Sequence, residues 1–385
     1  MAKANLKNKK SGFFQSGKLD ITFLSLVLIL LTIGLVMLFS ASYAYSLEYY
    51  DNSYKFIIRQ ALFAGAGIIA MFITSRINYH FWRKISWLVY VVTALMLIAL
   101  LILPPMVSGM SVKRWFAIGG FSFQPSEIAK FAIVILFSTL ISANQKLMNN
   151  WKFILFLFGV LGFTCVLVVL EPHLSATLLI AAIGVVLIYI GGLNRKVVIA
   201  GVVLAVCGVA VVIFTQSTGF IGYGSDRIKY WLDPWADATG EGFQTIQSLL
   251  AIGSGGILGR GRGQSRQKYL WVPEPHNDFI FSIVCEELGL VGAVLIIVLF
   301  ALLVWRGFTI AMRATDKFGS MLAIGLTFQV GLQAMLNIWV VTNTIPNTGI
   351  SLPFFSYGGT SRLILLAEMG IVLSVSRGAN IEKVK

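Results

Sequence analysis

Long apolar stretches separated by short polar connections dominate this chain. A membrane-crossing helix needs about 20 mostly apolar residues. Ten stretches qualify: 21–43, 56–75, 84–104, 127–145, 153–170, 173–192, 196–215, 278–305, 319–342 and 355–376. Inside them the helical period says nothing about facing, because nearly every face is apolar. The connection over 216–277 is far longer than usual, which predicts structure or function of its own. Within it, Gly242 to Ile252 sets Phe243, Ile246, Leu249 and Leu250 at helical spacing, as in an amphipathic interfacial helix. The expected fold is an all-α polytopic membrane protein. A basic tail (1–20) leads into a ten-helix membrane domain (21–376) with a large outer loop (216–277), followed by a short tail (377–385).

Composition sharpens this picture. Of 385 residues, 57% are hydrophobic and 12% charged, against about 25% charged in soluble domains. In a soluble protein the net charge of +14 would suggest nucleic acid. Here it reflects positive charge retained on the cytoplasmic side plus one basic outer loop. Lys3, Lys7, Lys9, Lys10 and Lys18, then Arg76, Arg83 and Lys84, Lys146 and Lys152, Arg195 and Lys196, Arg306, Arg313 and Lys317, and finally Arg377, Lys383 and Lys385 all fall on one side of a ten-span chain. Both termini are therefore expected in the cytoplasm. The first apolar run is longer than a signal peptide's core and lacks a small-residue cleavage site, so it reads as a retained helix. Cys165, Cys207 and Cys285 all lie in apolar runs and outline no disulfide framework or thiolate metal site. Lys113-Arg114 breaks the charge rule, since it sits in a short outer connection and calls for another explanation.

Four groups of residues could carry chemistry. Gly253, Gly255, Gly256, Gly259, Gly261 and Gly263 alternate with Arg260, Arg262, Arg266 and Lys268. Such a stretch suits an anion, through backbone N–H nests and arginine forks. It equally suits a flexible loop touching lipid headgroups. Asp278 stands where the polar loop re-enters an apolar run. It reads as a helix N-cap, as a desolvated general base, or as both. His276 beside it is a candidate second acid/base group or lone metal ligand. Arg59, Glu127, Lys130, Glu171, Glu286, Glu287, Arg362 and Glu368 lie in or at the edges of spans, where such groups face the bundle interior and pair. Glu127 and Lys130 share a helical face, as a structural pair or as the wall of a wet cavity. The run from Thr344 to Thr360, with Ser356 inside it, reads as a shaped re-entrant turn that could bound a cavity.

Together these residues resemble the SEDS family (shape, elongation, division and sporulation) over nearly the whole chain. Lys113-Arg114-Trp115 and Phe123-Gln124-Pro125-Ser126-Glu127 with Lys130 are similar to its R-W and FQPSE-x-x-K elements. Gly253-Ser254-Gly255-Gly256 with Gly259-Arg260-Gly261, then His276-Asn277-Asp278-Phe279, Glu286-Glu287-Leu288-Gly289 and Ser356-Tyr357-Gly358-Gly359 continue the match. Asn277 departs from the usual Thr, His173-Leu174-Ser175 from Asp-Leu-Gly, and Arg362 from an apolar residue. The chain looks closer to the division or sporulation branch than to the elongation branch.

The resemblance implies an inverting peptidoglycan glycosyltransferase in the bacterial cytoplasmic membrane, at the division septum. It implies lipid II as substrate, a class B penicillin-binding protein as partner, other divisome or elongasome membrane proteins around it, and no nucleic acid. It maps the family's essential aspartate onto Asp278. In that chemistry Asp278 takes a proton from the acceptor hydroxyl. Arg59, Lys113, Arg114, Lys130, Arg260, Arg262 and Arg266 are candidates to hold the pyrophosphate. Glu127, His276 and Ser356 join the substrate-binding candidates, and Trp115 would stack on a sugar or sit in the interfacial belt. A divalent cation, Mg or Mn, could share the charge, although no dedicated cage is visible. The rival readings are a lipid II flippase and a scaffold of the wall-synthesis complex.

Overall fold

The computed structural model describes residues 13–103, 114–118, 121–171, 173–193, 225–240 and 242–379. The seventh expected span, Lys113, Cys207 and most of the basic N-terminal tail lie outside them. Every other expected span is a helix. In chain order these are α1 (Ile21–Tyr50), α2 (Lys55–Arg76), α3 (His80–Ile102), α4 (Pro125–Ala143), α5 (Trp151–Leu170) and α6 (Leu174–Ile190). In the long loop follow α7 (Ser225–Leu232) and α8 (Phe243–Gly255). Then come α9 (Ile280–Met312), α10 (Lys317–Val341) and α11 (Gly359–Gly378). Among the described residues eight helices are long and apolar enough to cross a membrane, and α6 is a shorter apolar helix.

Burial separates centre from rim. In α4, α10 and α11, 67%, 61% and 61% of the apolar window is buried, against 22% in α3 and 28% in α2, α5 and α9. The centre is where polar groups inside a membrane bundle find partners. Small residues allow close packing there. A Cβ on Gly370 of α11 would meet the Thr74 hydroxyl of α2 at 2.0 Å, and Thr74 Oγ1 donates to Ala367 O at 2.9 Å.

One end of the bundle is tied by charge. Asp20 caps α1, accepting from Phe23 N at 2.8 Å, and also accepts Arg306 NH2 at 2.7 Å. Tyr79 OH donates to Asp316 at 2.6 Å, and Arg377 donates to Gly17 O at 2.8 Å. These contacts gather the start of α1 and the connections α2–α3 and α9–α10 beside the end of α11.

The eighth apolar run is two helical segments end to end. Gly289 (φ 67°, ψ −168°) interrupts α9. The segment before it is buried in protein, while Leu290, Val291, Val294 and Leu295 after it are exposed. The glycine-rich stretch fills the break. Arg260 N and Gly261 N donate to Glu286 O and Glu287 O at 2.9 and 3.0 Å, and Leu290 N donates to Gly256 O at 2.9 Å. A Cβ on Gly259 would lie 2.2 Å from Glu287 O, and one on Gly255 would lie 2.0 Å from Cys285 O. These two glycines serve close backbone packing.

Helix α8 forms as the spacing predicts, but its buried side is Thr245, Ile246, Gln247, Ser248 and Ala251, leaving Leu249 and Leu250 exposed. Its small polar residues face protein, and Ser248 Oγ donates to Val341 O at 2.9 Å.

Candidate active site

Opposite the charge-tied end, the connections converge on a cavity of about 660 Å³. A short hairpin, β1 (Phe116–Ile118) paired with β2 (Phe121–Phe123), holds one side of it. Phe116 stacks on Phe123 with ring centroids 5.4 Å apart, which fixes Arg114 and Trp115 on entry and Gln124 on exit. Arg114 Nε donates to Glu171 O at 3.3 Å. Arg59 of α2, Glu127 and Lys130 of α4, Glu274 and Asn277 of the long loop, and Tyr357 complete the charged and polar lining with Asp278.

Asp278 does not cap α9. The cap position is Phe279, with no side-chain bond to the helix. The carboxylate therefore stays available to the cavity. Its backbone is pinned: Asn337 Nδ2 of α10 donates to Asp278 O at 2.7 Å and to Ile350 O at 2.6 Å. Behind the carboxylate is Gly349 (φ +68°), where a Cβ would stand 3.3 Å from Asp278 Oδ2. Burial pushes the Asp278 carboxyl up to about 6, Glu274 pushes the same way, and Arg114 opposes. A carboxylate near 6 is a proton acceptor matched to neutral pH.

The lysine is equally fixed. Lys130, 1% exposed, reaches Glu127 Oε1 at 2.8 Å and donates to Gln333 Oε1 at 3.0 Å. Gln333 Nε2 in turn donates to Ser351 O at 3.1 Å. An ammonium has three donors, and the described residues take two of them. The arrangement sets the Asp278 carboxylate in one cavity with Arg59, Arg114 and Lys130, a set that can accept a proton and stabilise developing negative charge in one place. Among the described residues no three His, Cys, Asp or Glu side chains converge on a cation site.

A family model described as "Cell cycle protein", for FtsW, RodA and SpoVE, matches residues 21–381. The chain belongs to this family. Stage V sporulation protein E of Bacillus subtilis (strain 168) is 39% identical over 93% of this chain and 97% of its own length. A probable peptidoglycan glycosyltransferase FtsW of Geobacter sp. (strain M18) is 36% identical over 94% of this chain and 98% of its own. One solved structure, described as "Structural coordination of polymerization and crosslinking by a peptidoglycan synthase complex", contains a chain that matches with a TM-score of 0.76. That chain is 27% identical, over 93% of this chain and 98% of its own. Rod shape determining protein RodA of Thermus thermophilus has the same fold, with a TM-score of 0.69 at 24% identity over 94% of this chain and 98% of its own.

On this FtsW/RodA/SpoVE frame, Arg59, Arg114, Trp115, Glu127, Lys130 and Asp278 line one cavity. Other candidates lie elsewhere. Exposed Arg260, Arg262 and Arg266 line neither this cavity nor the smaller one beside it. Arg260 lies over the α9 break, 3.8 Å from Glu286, and Arg266 N donates to that carboxylate at 2.9 Å. Their sequence neighbourhood mixes cavity and clamp, which spacing alone does not separate. His276 is buried among Tyr45, Phe56 and Tyr357, and Phe56 is 4.4 Å away by ring centroid. Burial pushes the His276 imidazole down to about 4, so it is a neutral packing group. Ser356 Oγ accepts from Leu352 N at 2.7 Å and closes the re-entrant turn.

Sequence reasoning missed Glu274, Gln333, Asn337, Gly349 and His173. The signal for two of them is visible in hindsight: Gln333 and Asn337, with Gln329, recur every fourth residue in an apolar helix, which marks one polar face.

Proposed function

We propose that this protein is a peptidoglycan glycosyltransferase that polymerises lipid II at the outer face of the cytoplasmic membrane, in septal or spore wall synthesis. The observation that carries the reading is the half-buried Asp278 carboxylate, fixed at the cavity shared with Arg59, Arg114 and Lys130. The names of its relatives support the same chemistry. The undecaprenyl tail stays in lipid, and the diphosphate reaches the cationic wall. Asp278 takes the proton of the acceptor hydroxyl as that oxygen bonds the donor's anomeric carbon. The bond from that carbon to the phosphate oxygen breaks, and the diphosphate leaves with the electron pair. Arg59, Arg114 and Lys130 stabilise its charge.

The cavity end is extracytoplasmic in this reading, and the charge-tied end, with both termini, is cytoplasmic. A class B penicillin-binding protein is the proposed partner, in keeping with the coupled polymerization and crosslinking described for the related complex. A lipid flippase would need a polar route through the bundle. Below the site, the cavity lined by Glu127, Gln329, Gln333, Arg362 and Glu368 holds only about 30 Å³, room for water alone. That favours the enzyme. The test is polymerisation of labelled lipid II by the purified chain with its partner, beside Asp278→Asn. Glycan strands from the parent protein only are expected, and equal yields from both would end the assignment of the base.

A further inference from the structure

A second cavity, of about 260 Å³, opens on the other side of Asp278. It shares Arg114, His173, Asp278 and Gly349 with the larger one. Its remaining lining differs in kind. The larger cavity adds four charged side chains, Arg59, Glu127, Lys130 and Glu274, among its further lining, whereas the smaller one adds none beyond the shared residues and brings Tyr230, Trp231, Gln244, Asn343, Asn347 and Thr348 with Leu174 and Thr245. Aromatic faces with neutral amides and a hydroxyl suit an uncharged ligand rich in hydroxyl and amide groups. Volume limits that ligand as well: whole ligand sites occupy about 300–1,000 Å³, so this chamber holds a part of a larger molecule.

The chamber is built. Trp231 Nε1 donates to Asn343 O at 3.0 Å, and Asn343 Nδ2 returns a bond to Trp231 O at 3.1 Å, fixing α7 against the end of α10. Asn347 Nδ2 donates to Gln244 Oε1 at 3.2 Å, joining α8 to the re-entrant turn. The buried Thr348 Oγ1 has no partner among the described residues.

His173 stands at the junction. Its Nδ1 lies 3.1 Å from Gln124 Nε2 and 3.2 Å from Ser126 Oγ. An amide nitrogen only donates, so Nδ1 is the acceptor. In a neutral ring the proton is then on Nε2. The ring is neutral because burial pushes it down to about 3, with Arg114 and Lys130 pushing the same way. No bond to Nε2 is made among the described residues, and the ring lines both cavities. The site thus holds an N–H donor on an uncharged ring that lines both cavities together with Asp278.

We infer that the smaller chamber is the subsite for the acceptor sugar, an N-acetylated hexose unit, and that His173 donates its Nε2–H to that sugar beside the hydroxyl Asp278 deprotonates. This rests on the polymerase reading above. The donor's diphosphate occupies the cationic cavity, so the two reacting sugars meet at the one carboxylate both spaces share. A neutral donor at that point holds a sugar oxygen without competing with Arg114 for the diphosphate.

The test measures initial rates of lipid II polymerisation against substrate concentration for the full chain with its partner. His173→Leu removes the donor without adding a charge, and His173→Gln keeps an N–H. The expected result is a loss of roughly tenfold or more in kcat/KM for the leucine variant, the scale of one lost hydrogen bond, and retention within about threefold for the glutamine variant. Tyr230→Leu removes a ring from the chamber on an outer helix. It should raise KM by roughly three- to tenfold and leave binding of undecaprenyl diphosphate, probed alone, unchanged. Parental rates in both His173→Leu and Tyr230→Leu overturn the inference while leaving the polymerase reading intact. Weaker undecaprenyl diphosphate binding by Tyr230→Leu also overturns it, since the chamber would then hold a diphosphate and not a sugar. No strands from the parent protein would remove the reading beneath it.

Discussion

Two charged clusters lie toward opposite ends of α8, and they do opposite things. At the α9 break, Lys268 Nζ meets Glu287 Oε1 at 3.0 Å, Ser40 Oγ at 3.0 Å and Gly263 O at 2.7 Å, using all three donors. Glu286 accepts from Ser265 Oγ, Arg266 N and Gln267 N. At the cavity, the Asp278 side chain has a positive-φ glycine behind it, a carboxylate neighbour in Glu274 and open space ahead. The first cluster spends its charges on protein and locks loop to helix. The second keeps a carboxylate that accepts no hydrogen bond among the described residues and borders open space. Pairing alone does not separate the two, since Lys130 is bound to Glu127 and Gln333 and still lines the cavity; what separates them is whether the charged group borders open space.

The largest effect that would break this comparison is chemical. Asp278→Ala should lower polymerisation by about 10²- to 10⁴-fold while the protein still accumulates and melts normally. The raised carboxyl also fixes a sign. Stability present below the ordinary aspartate value is lost as pH rises through about 6, so Asp278→Asn should melt no lower than the parent at pH 7.5. Lys268→Met is the mirror experiment. It leaves Glu287 buried without its cation, which costs about 3–5 kcal/mol and should appear as poor accumulation or a much lower Tm. Full stability there would erase the distinction between clamp and site.

Exchange of the charges at Glu127 and Lys130 comes next. A purely structural pair survives the swap. Because Lys130 also holds Gln333 and lines the cavity, the exchange should cost roughly tenfold or more in rate at normal expression. Glu274→Gln sharpens the electrostatics. It removes a neighbour that raises Asp278, so the acid limb of the pH–rate profile, expected near 6, should move to lower pH. Arg114→Gln should move it higher. The smallest effect belongs to Arg262→Gln with Arg266→Gln. These exposed side chains line neither cavity, and polymerisation should change by less than about twofold.

Much of this was legible in the chain. Span positions followed from apolar length, and α2 at Lys55–Arg76 differs from the expected 56–75 by one residue at each end. The outcome was poorer where an apolar run hid a discontinuity. Residues 278–305 read as one span because hydropathy registers composition and not φ, and only the positive φ at Gly289 divides it. Arg260 and Asp278 belong to one loop and read as one site, yet the chain turns between them. His276 adjoins Asp278 in sequence, but its side chain points into an aromatic cluster. His173 is 105 positions from Asp278, a separation at which no local pattern predicts a shared wall.

By itself the sequence determined a membrane bundle, the approximate ends of its spans, its family and the aspartate at its mouth. Hydrophobic length and motif order are one-dimensional, and they survive without coordinates. Only the tertiary structure decided which charges are spent and which are free, because that depends on partners brought from distant helices. It also divided the space around Asp278 into a cationic cavity and a neutral chamber. The walls of each come from segments that only folding makes adjacent.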